Sequence, residues 1–110
     1  MNPDAVLRRF LSAPLTLRLV AEGGADPVLP GYGRRTLEPD NWAVEDGVAY
    51  GQEAVWQLAG VEDGVLLYGW GLVDADGADI EVREFDGGPR LVGERGMVVR
   101  VQPEVAVVAA

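Results

Sequence analysis

The longest apolar run of the chain reads VLLYGWGLVD, from Val65 to Asp74. With the two-residue period of a β-strand, its bulky side chains fall on one face and its glycines on the other. The bulky face comprises Leu66, Tyr68, Trp70 and Leu72, and the other face carries Leu67, Gly69, Gly71 and Val73. The run therefore predicts a central strand that buries its aromatic face and lets another backbone approach the glycines closely.

Shorter alternating runs surround this strand, and Asp-Gly steps at residues 46, 63, 76 and 86 separate many of them. Asp-Gly between alternating runs is a strong signal for a tight turn between antiparallel strands. In the run Ile80–Phe85, Ile80 and Val82 are expected to face the core and the charged residues to face water. The pattern predicts an all-β fold, an antiparallel β-sandwich or jelly-roll-like domain over residues 15–108, in a single domain spanning 1–110.

The first 13 residues have the pattern of a short amphipathic helix. Asn2 is placed to cap it and Pro3 to occupy its first turn. Its apolar face would comprise Val6, Leu7, Phe10 and Leu11. Such a face requires an apolar cover, so the helix is either a lid on its own β domain or an arm that docks on a neighbouring subunit.

Composition removes most catalytic chemistry. The 110 residues include no Cys and no His, which excludes thiolate nucleophiles, imidazole bases and the usual zinc ligands. The net charge is −9 at pH 7, with nine Arg and no Lys, and such an acidic surface disfavours binding to nucleic acid. No apolar run approaches 18 residues and no targeting signal is visible, so we expect neither a membrane span nor a cleaved leader.

The acidic and aromatic residues offer three candidate sites for chemistry. Asp74, Asp76 and Asp79 have metal-like spacing but miss the glycine and glutamate positions of a calcium loop, which favours a hairpin turn. The carboxylates of Glu81, Glu84, Asp86 and Glu94 could in principle form a glycosidase pair, but solvated surface charge is the simpler interpretation. The three tryptophans, Trp42, Trp56 and Trp70, lie on predicted strands, which favours core packing over stacking on sugars. We predict no enzyme activity, no cofactor and no metal.

The remaining candidate role for the surface of this protein is contact with another protein. The segment Pro30–Arg35 contains Gly-x-Gly without the context of a phosphate loop, and is better explained as a bent turn that positions Tyr32. Tyr and Arg are enriched at the centres of protein interfaces. The candidate contact residues are Val6, Phe10, Tyr32, Arg34 and Arg35.

The order of these motifs resembles a family of small β-rich virion proteins of tailed bacteriophages, often labelled tail fibre or structural proteins. The resemblance lies in Gly31–Leu37, Trp42–Val44 with Val48-Ala49, Gly69–Ala75 and Val92–Glu94, and extends from about Leu15 onward. The family has a Gly-Tyr-Ala-Arg-like turn and a Gly-Trp-x-Leu-Val-Asp-like strand. Here Gly33 replaces the usual Ala, and Gly93-Glu94 replaces the typical Gly-Asp.

The resemblance implies a non-enzymatic component of a phage particle. The leading expectation is a capsid decoration, or cement, protein on the outer surface of the virion, present as a homo-oligomer and bound to the major capsid protein. The alternative is a tail, baseplate or fibre-associated protein bound to other tail proteins. A carbohydrate-binding module is a second alternative, from a different functional class.

Overall fold

A computed structural model describes residues 2–107, which form an all-β, sandwich-like fold with one short N-terminal helix. The helix is α1 (Pro3–Phe10), and two short 3₁₀ turns cover Glu22–Gly24 and Pro39–Asn41. The strands are β1 (Leu15–Ala21), β2 (Arg35–Leu37), β3 (Trp42–Glu45), β4 (Val48–Gly51), β5 (Ala54–Leu58), β6 (Val65–Val73), β7 (Asp79–Glu84), β8 (Arg90–Val92), β9 (Met97–Val101) and β10 (Glu104–Ala106).

The apolar run found in the sequence is the central strand β6. It pairs with β1 along one edge and with β7 and β8 along the other, in a sheet of order β2-β1-β6-β7. Within residues 2–107, β10, β4 and β3 form a second sheet and β5 pairs with β9 in a third. All pairings are antiparallel, and side chains from the three sheets meet in one apolar core.

The Asp-Gly steps all form turns. Asp46 and Gly47 join β3 to β4 with φ values of 53° and 80°, the left-handed pair required in a two-residue hairpin. The glycines at 64, 77 and 87 also have positive φ, between 73° and 87°. Glycine adopts this conformation without the steric cost of a Cβ, so these turns follow directly from the sequence.

The predicted faces of β6 are correct only at its second half. Trp70 and Leu72 are buried, but Leu66 is 42% exposed, Tyr68 is half-buried and Leu67 is fully buried instead. The neighbouring residues Val20 and Ala21 of β1 pair with Gly69 and Leu67, so Tyr68 is an extra residue in a β-bulge. One extra residue reverses the alternation, and the assignment of Leu66 and Tyr68 to the buried face was wrong for that reason.

The glycines of β6 allow close approach, as expected. A Cβ on Gly69 would overlap the backbone carbonyl of Arg83 on β7. A Cβ on Gly71 would lie 3.2 Å from the carbonyl oxygen of Glu81 and 3.6 Å from Nε of Arg18. The backbone of β7 therefore covers the first glycine, while the second leaves room for an arginine side chain.

The prediction that Val82 faces the core is wrong, since 53% of this residue is exposed. Val82 pairs with Gly71, whereas its neighbours Glu81 and Arg83 pair with Leu72 and Trp70. Glu81 and Arg83 therefore share a face with the core residues Leu72 and Trp70. This is tolerated because β7 is an edge strand, where apolar stems can cover the core while charged ends remain in water.

The helix packs on its own domain, as the lid interpretation required. The Asn2 side chain accepts the N–H of Asp4, and Asp4 in turn accepts the N–H of Gly47 in the β3–β4 turn at 2.7 Å. Leu7 and Leu11 are only 2% and 3% exposed. Two residues of the α1 face thus enter the core and attach the helix to the second sheet.

The end of the chain changes sheets at Pro103. β9 before it pairs with β5, and β10 after it pairs with β4, so the chain passes from one sheet to another at this residue. The final strand ends at Ala106, and Val108, the predicted limit of the β domain, lies outside the described residues.

Candidate functional site

Two of the predicted contact residues, Tyr32 and Arg34, belong to a hydrogen-bonded cluster centred on Asp26. Tyr32 Oη donates to Asp26 Oδ2 at 2.6 Å. Arg34 donates to both oxygens of Asp26, through Nε at 2.8 Å and Nη2 at 2.9 Å. Two parallel bonds of this kind are stronger and more directional than a single ion pair. The turn at Pro30–Arg35 is therefore attached to the preceding loop.

Arg18 connects this cluster to the central sheet. It is the buried charged residue of the described chain, 5% exposed, and it lies on β1 opposite Gly71. Its Nη1 donates to Asp26 Oδ1 at 3.2 Å and to the Gly24 carbonyl at 3.0 Å. Its Nε and Nη2 donate to the two oxygens of Asp79 at 3.1 and 3.2 Å. The burial of this charge is thus compensated by two carboxylates.

Asp26 and Tyr32 have shifted pKa values within this cluster. The Arg34 hydrogen bonds, opposed in part by burial, lower the pKa of Asp26 below its usual value. Burial, followed by the hydrogen bond to Asp26, raises the pKa of Tyr32 to about 12. Asp26 therefore contributes stability that is present above its ordinary pKa and is lost as the pH falls through the lowered value. Tyr32 contributes stability that is lost as the pH rises from its ordinary pKa towards 12.

These shifts are those of a structural cluster. A carboxylate with a lowered pKa and several donors is a weak general base, and a phenol with a raised pKa is a weak nucleophile. Tyr32 Oη also accepts the N–H of Leu19 at 3.2 Å. The pairing of β2 with β1 ends at Leu17, so this bond lies just beyond it along β1. The cluster therefore holds the loop between β1 and β2 against the outer face of the first sheet.

Sequence reasoning missed Asp26, Arg18 and Asp79 as members of this cluster. One signal was available, because Arg18 is the one charged residue in the run Leu15–Ala21. The spacing of Asp26 and Asp79 along the chain carries no hint that they converge, since they lie 8 and 61 residues from Arg18.

Arg35, the next predicted contact residue, lies beside β5. Its guanidinium carbon is 5.3 Å from the centre of the Trp56 ring, and its Nη2 donates to the Val55 carbonyl at 3.2 Å. Trp56 is fully buried and donates to the Gly33 carbonyl at 2.6 Å, while the Tyr32 ring stacks on it at 6.2 Å. Arg35 thus closes the core above Trp56 and remains exposed on its other side.

The remaining tryptophans are also core residues. Trp42 is 9% exposed and Trp70 is 8% exposed, so neither offers a flat face to a sugar ring. The prediction that the tryptophans pack in the core is confirmed. Of the two helix residues predicted as contacts, Val6 is half-buried and Phe10 is 46% exposed.

The aspartates after β6 form the predicted turn. Asp74 Oδ1 accepts the N–H groups of Asp76 and Ala78 at 2.9 and 3.0 Å. Asp79 faces Arg18 instead. Within residues 2–107, no group of three or more acidic side chains has the geometry to hold a metal ion.

The other candidate carboxylates lie in three places. Glu81 accepts a hydrogen bond from Arg83 at 3.1 Å. Glu84 and Asp86 line a cleft of about 240 Å³ together with Arg83 and Arg90. The backbone of Glu94 lies in a different loop, against Gly60.

The β5–β9 pair is a two-stranded unit, and the segment Pro30–Arg35 covers part of its β5 edge. In the described chain these two strands pair only with each other. Their outer face carries Val55 and Val98, which are 36% and 52% exposed, while Trp56 and Val99 point into the core. We call Val55, Val98 and the adjacent Arg35 the β5–β9 outer face.

The described residues contain no helix long and apolar enough to cross a membrane. Comparisons with models of protein families, with curated proteins and with solved structures each found no match.

Proposed function

We propose that this chain is a non-catalytic structural component of a tailed-phage virion, most specifically a decoration protein that binds the outer face of the capsid shell. The observation that carries the proposal is the β5–β9 outer face. It combines exposed aliphatic side chains with two strands that, within residues 2–107, pair only with each other, which is a surface suited to contact with another protein. The motif resemblance of Gly31–Leu37 and Gly69–Ala75 to phage virion proteins supplies the biological setting.

The charged groups support a binding role over a catalytic one. Asp26 forms hydrogen bonds with both Tyr32 and Arg34. The candidate catalytic carboxylates lie in separate places or close to arginines. The net charge of −9 suits a position outside the shell, because an acidic surface is repelled by packaged DNA. A protein that binds the assembled shell and not its free subunits stabilises the shell by mass action.

The test is binding to shells that lack this chain, assembled from the major capsid protein of the same phage. We expect bound copies in a constant ratio to the capsid subunit, hundreds per particle, measured by quantitative mass spectrometry of purified particles. Double substitution Val55→Asp and Val98→Asp should abolish binding, while the matched change Val82→Asp on exposed β7 should not.

Absence of the chain from purified particles would contradict the proposal. A small copy number in a multiple of three or six would assign it to the tail or baseplate instead. Binding to a glycan array, without particle binding, would favour the carbohydrate-binding alternative, although no tryptophan face is free for it.

A further inference from the structure

Two exposed patches of opposite charge lie at opposite ends of β1. We propose that they bind each other between copies of this chain, so that the protein assembles head to tail. Phe10 of one copy would enter a groove lined by Val28, Leu66 and Leu91 of the next copy. This inference does not depend on the proposed role in a virion.

The first patch, which we call the acidic groove, is a depression of about 380 Å³ at the Ala21 end of β1. Its apolar wall carries Val28, Leu91 and Leu66, which are 90%, 59% and 42% exposed. Glu22 and Asp63 line the same depression and are exposed. Large aliphatic side chains gathered around one depression indicate a site of protein contact, since isolated exposed ones are common but clusters are not.

The second patch, the basic helix end, comprises Arg8, Arg9 and Phe10. Leu7 and Leu11 are the α1 residues that enter the core, and Phe10 remains 46% exposed beside two exposed arginines. The exposed part of Phe10 is therefore open to contact with a partner. An aromatic residue flanked by Arg has the composition of an interface anchor.

The charges of the two patches are complementary and unused within the chain. In residues 2–107, neither Arg8 and Arg9 nor Glu22 and Asp63 form a salt bridge. Six of the nine arginines have carboxylate or aromatic partners: Arg18, Arg34, Arg83 and Arg100 pair with acids, and Arg35 and Arg90 lie over rings. On a chain of net charge −9, the helix end is thus a rare cationic pair that can attract the acidic groove.

The positions of the patches make the contact intermolecular. Arg8 and Leu11 line a depression with Pro39, which follows the Leu15–Leu37 pairing at the start of β1. The groove lies at the other end of that seven-residue strand, roughly 20 Å away. A contact between two different patches is heterologous, so its repetition produces a ring if the rotation closes and a filament if it does not.

The test is sedimentation velocity of the purified full chain, free of any other protein, at low ionic strength. We expect concentration-dependent association that weakens as salt is added. Phe10→Ser alone and Leu91→Ser alone should each be folded and monomeric, whereas an equimolar mixture should form a dimer and stop there. The mixture succeeds because each variant keeps the patch that the other lacks. The control Val82→Ser, an exposed aliphatic outside both patches, should assemble like the unmodified chain.

Charge reversal gives a second, independent readout. Arg8→Glu with Arg9→Glu should weaken association about tenfold or more, as should Glu22→Arg with Asp63→Arg. Mixing these two double variants should restore it, because the reversed patches again attract. A chain that stays monomeric at all concentrations, or association that survives Phe10→Ser, would overturn the inference. Since the assay contains no shell, its failure leaves the capsid-binding test unaffected.

Discussion

On the inner face of the β1–β6 pair, Leu17 and Leu19 belong to the shared apolar core, and Trp70 joins them with the Arg83 guanidinium 5.6 Å from its ring centre. On the outer face, Arg18 lies over Gly71 and is covered by the loop between β1 and β2, through bonds to Asp26 and the Gly24 carbonyl. The inner face is stabilised mainly by the burial and close packing of large side chains. This contribution to the free energy of unfolding is insensitive to pH. The outer face is held by charge and hydrogen bonds, which are specific and titratable.

The strand β6 contributes residues to both faces. Gly71 has no side chain, which leaves room for Arg18 on the outer face. The neighbouring Trp70 packs on the inner face. Substitutions on the two faces should therefore differ in size and in their dependence on pH.

The largest effect is expected from Trp70→Ala on the inner face. Removing a buried aromatic side chain leaves a cavity and should lower the free energy of unfolding by about 3–5 kcal/mol. Val82→Ala, at an exposed position of the neighbouring strand, should change it by less than about 0.5 kcal/mol. Urea unfolding of both variants measures the difference. A stable Trp70→Ala protein that merely failed to bind partners would show that Trp70 is a contact residue.

The next effect separates the two glycines of β6. Gly69→Ala places a Cβ into the Arg83 carbonyl and should cost about 2–3 kcal/mol, because the neighbouring backbone must move. Gly71→Ala meets its nearest atom at 3.2 Å and should cost about 1 kcal/mol. Thermal unfolding of the two variants provides the comparison. Equal losses of stability in the two variants would mean that the backbone of β7 does not closely contact Gly69.

On the outer face, Arg18→Met should lower the free energy of unfolding by about 2 kcal/mol. It removes the buried charge and leaves Asp26 and Asp79 without that donor. The cost is moderate because Asp79 is about half exposed and can be hydrated. A double-mutant cycle with Asp79→Asn measures the coupling directly, and additive effects would contradict the pairing.

The smallest effect, but the one that depends on pH, is expected from Tyr32→Phe. Loss of the hydrogen bond to Asp26 should cost about 1 kcal/mol at pH 7. The unmodified protein should lose stability between pH 10 and pH 12, because Tyr32 ionises near 10 when unfolded and at about 12 when folded. Tyr32→Phe should lack this part of the decline, whereas Tyr50→Phe, on the exposed face of β4, should retain it. Chemical unfolding at a series of alkaline pH values is the measurement.

Much of the fold was predictable from local sequence. The Asn2 cap and the Asp46-Gly47 hairpin each depend on residues close together in the chain. The candidate site was less predictable. Tyr32 and Arg34 stood out, but their common partner Asp26 did not, and the groove formed by Val28, Leu66 and Leu91 joins three separate segments.

By itself the sequence determined where the chain turns and which segments are extended, because backbone conformation at Asp-Gly, Pro and alternating apolar runs is a local energetic choice. The tertiary structure decided where simple alternation fails to give the face that a side chain occupies. The bulge at Tyr68 and the pairing of Val82 with Gly71 reverse the faces that simple alternation predicts. The physical reason is that register has a period of two residues, so a single inserted residue reverses every side chain beyond it at little local cost.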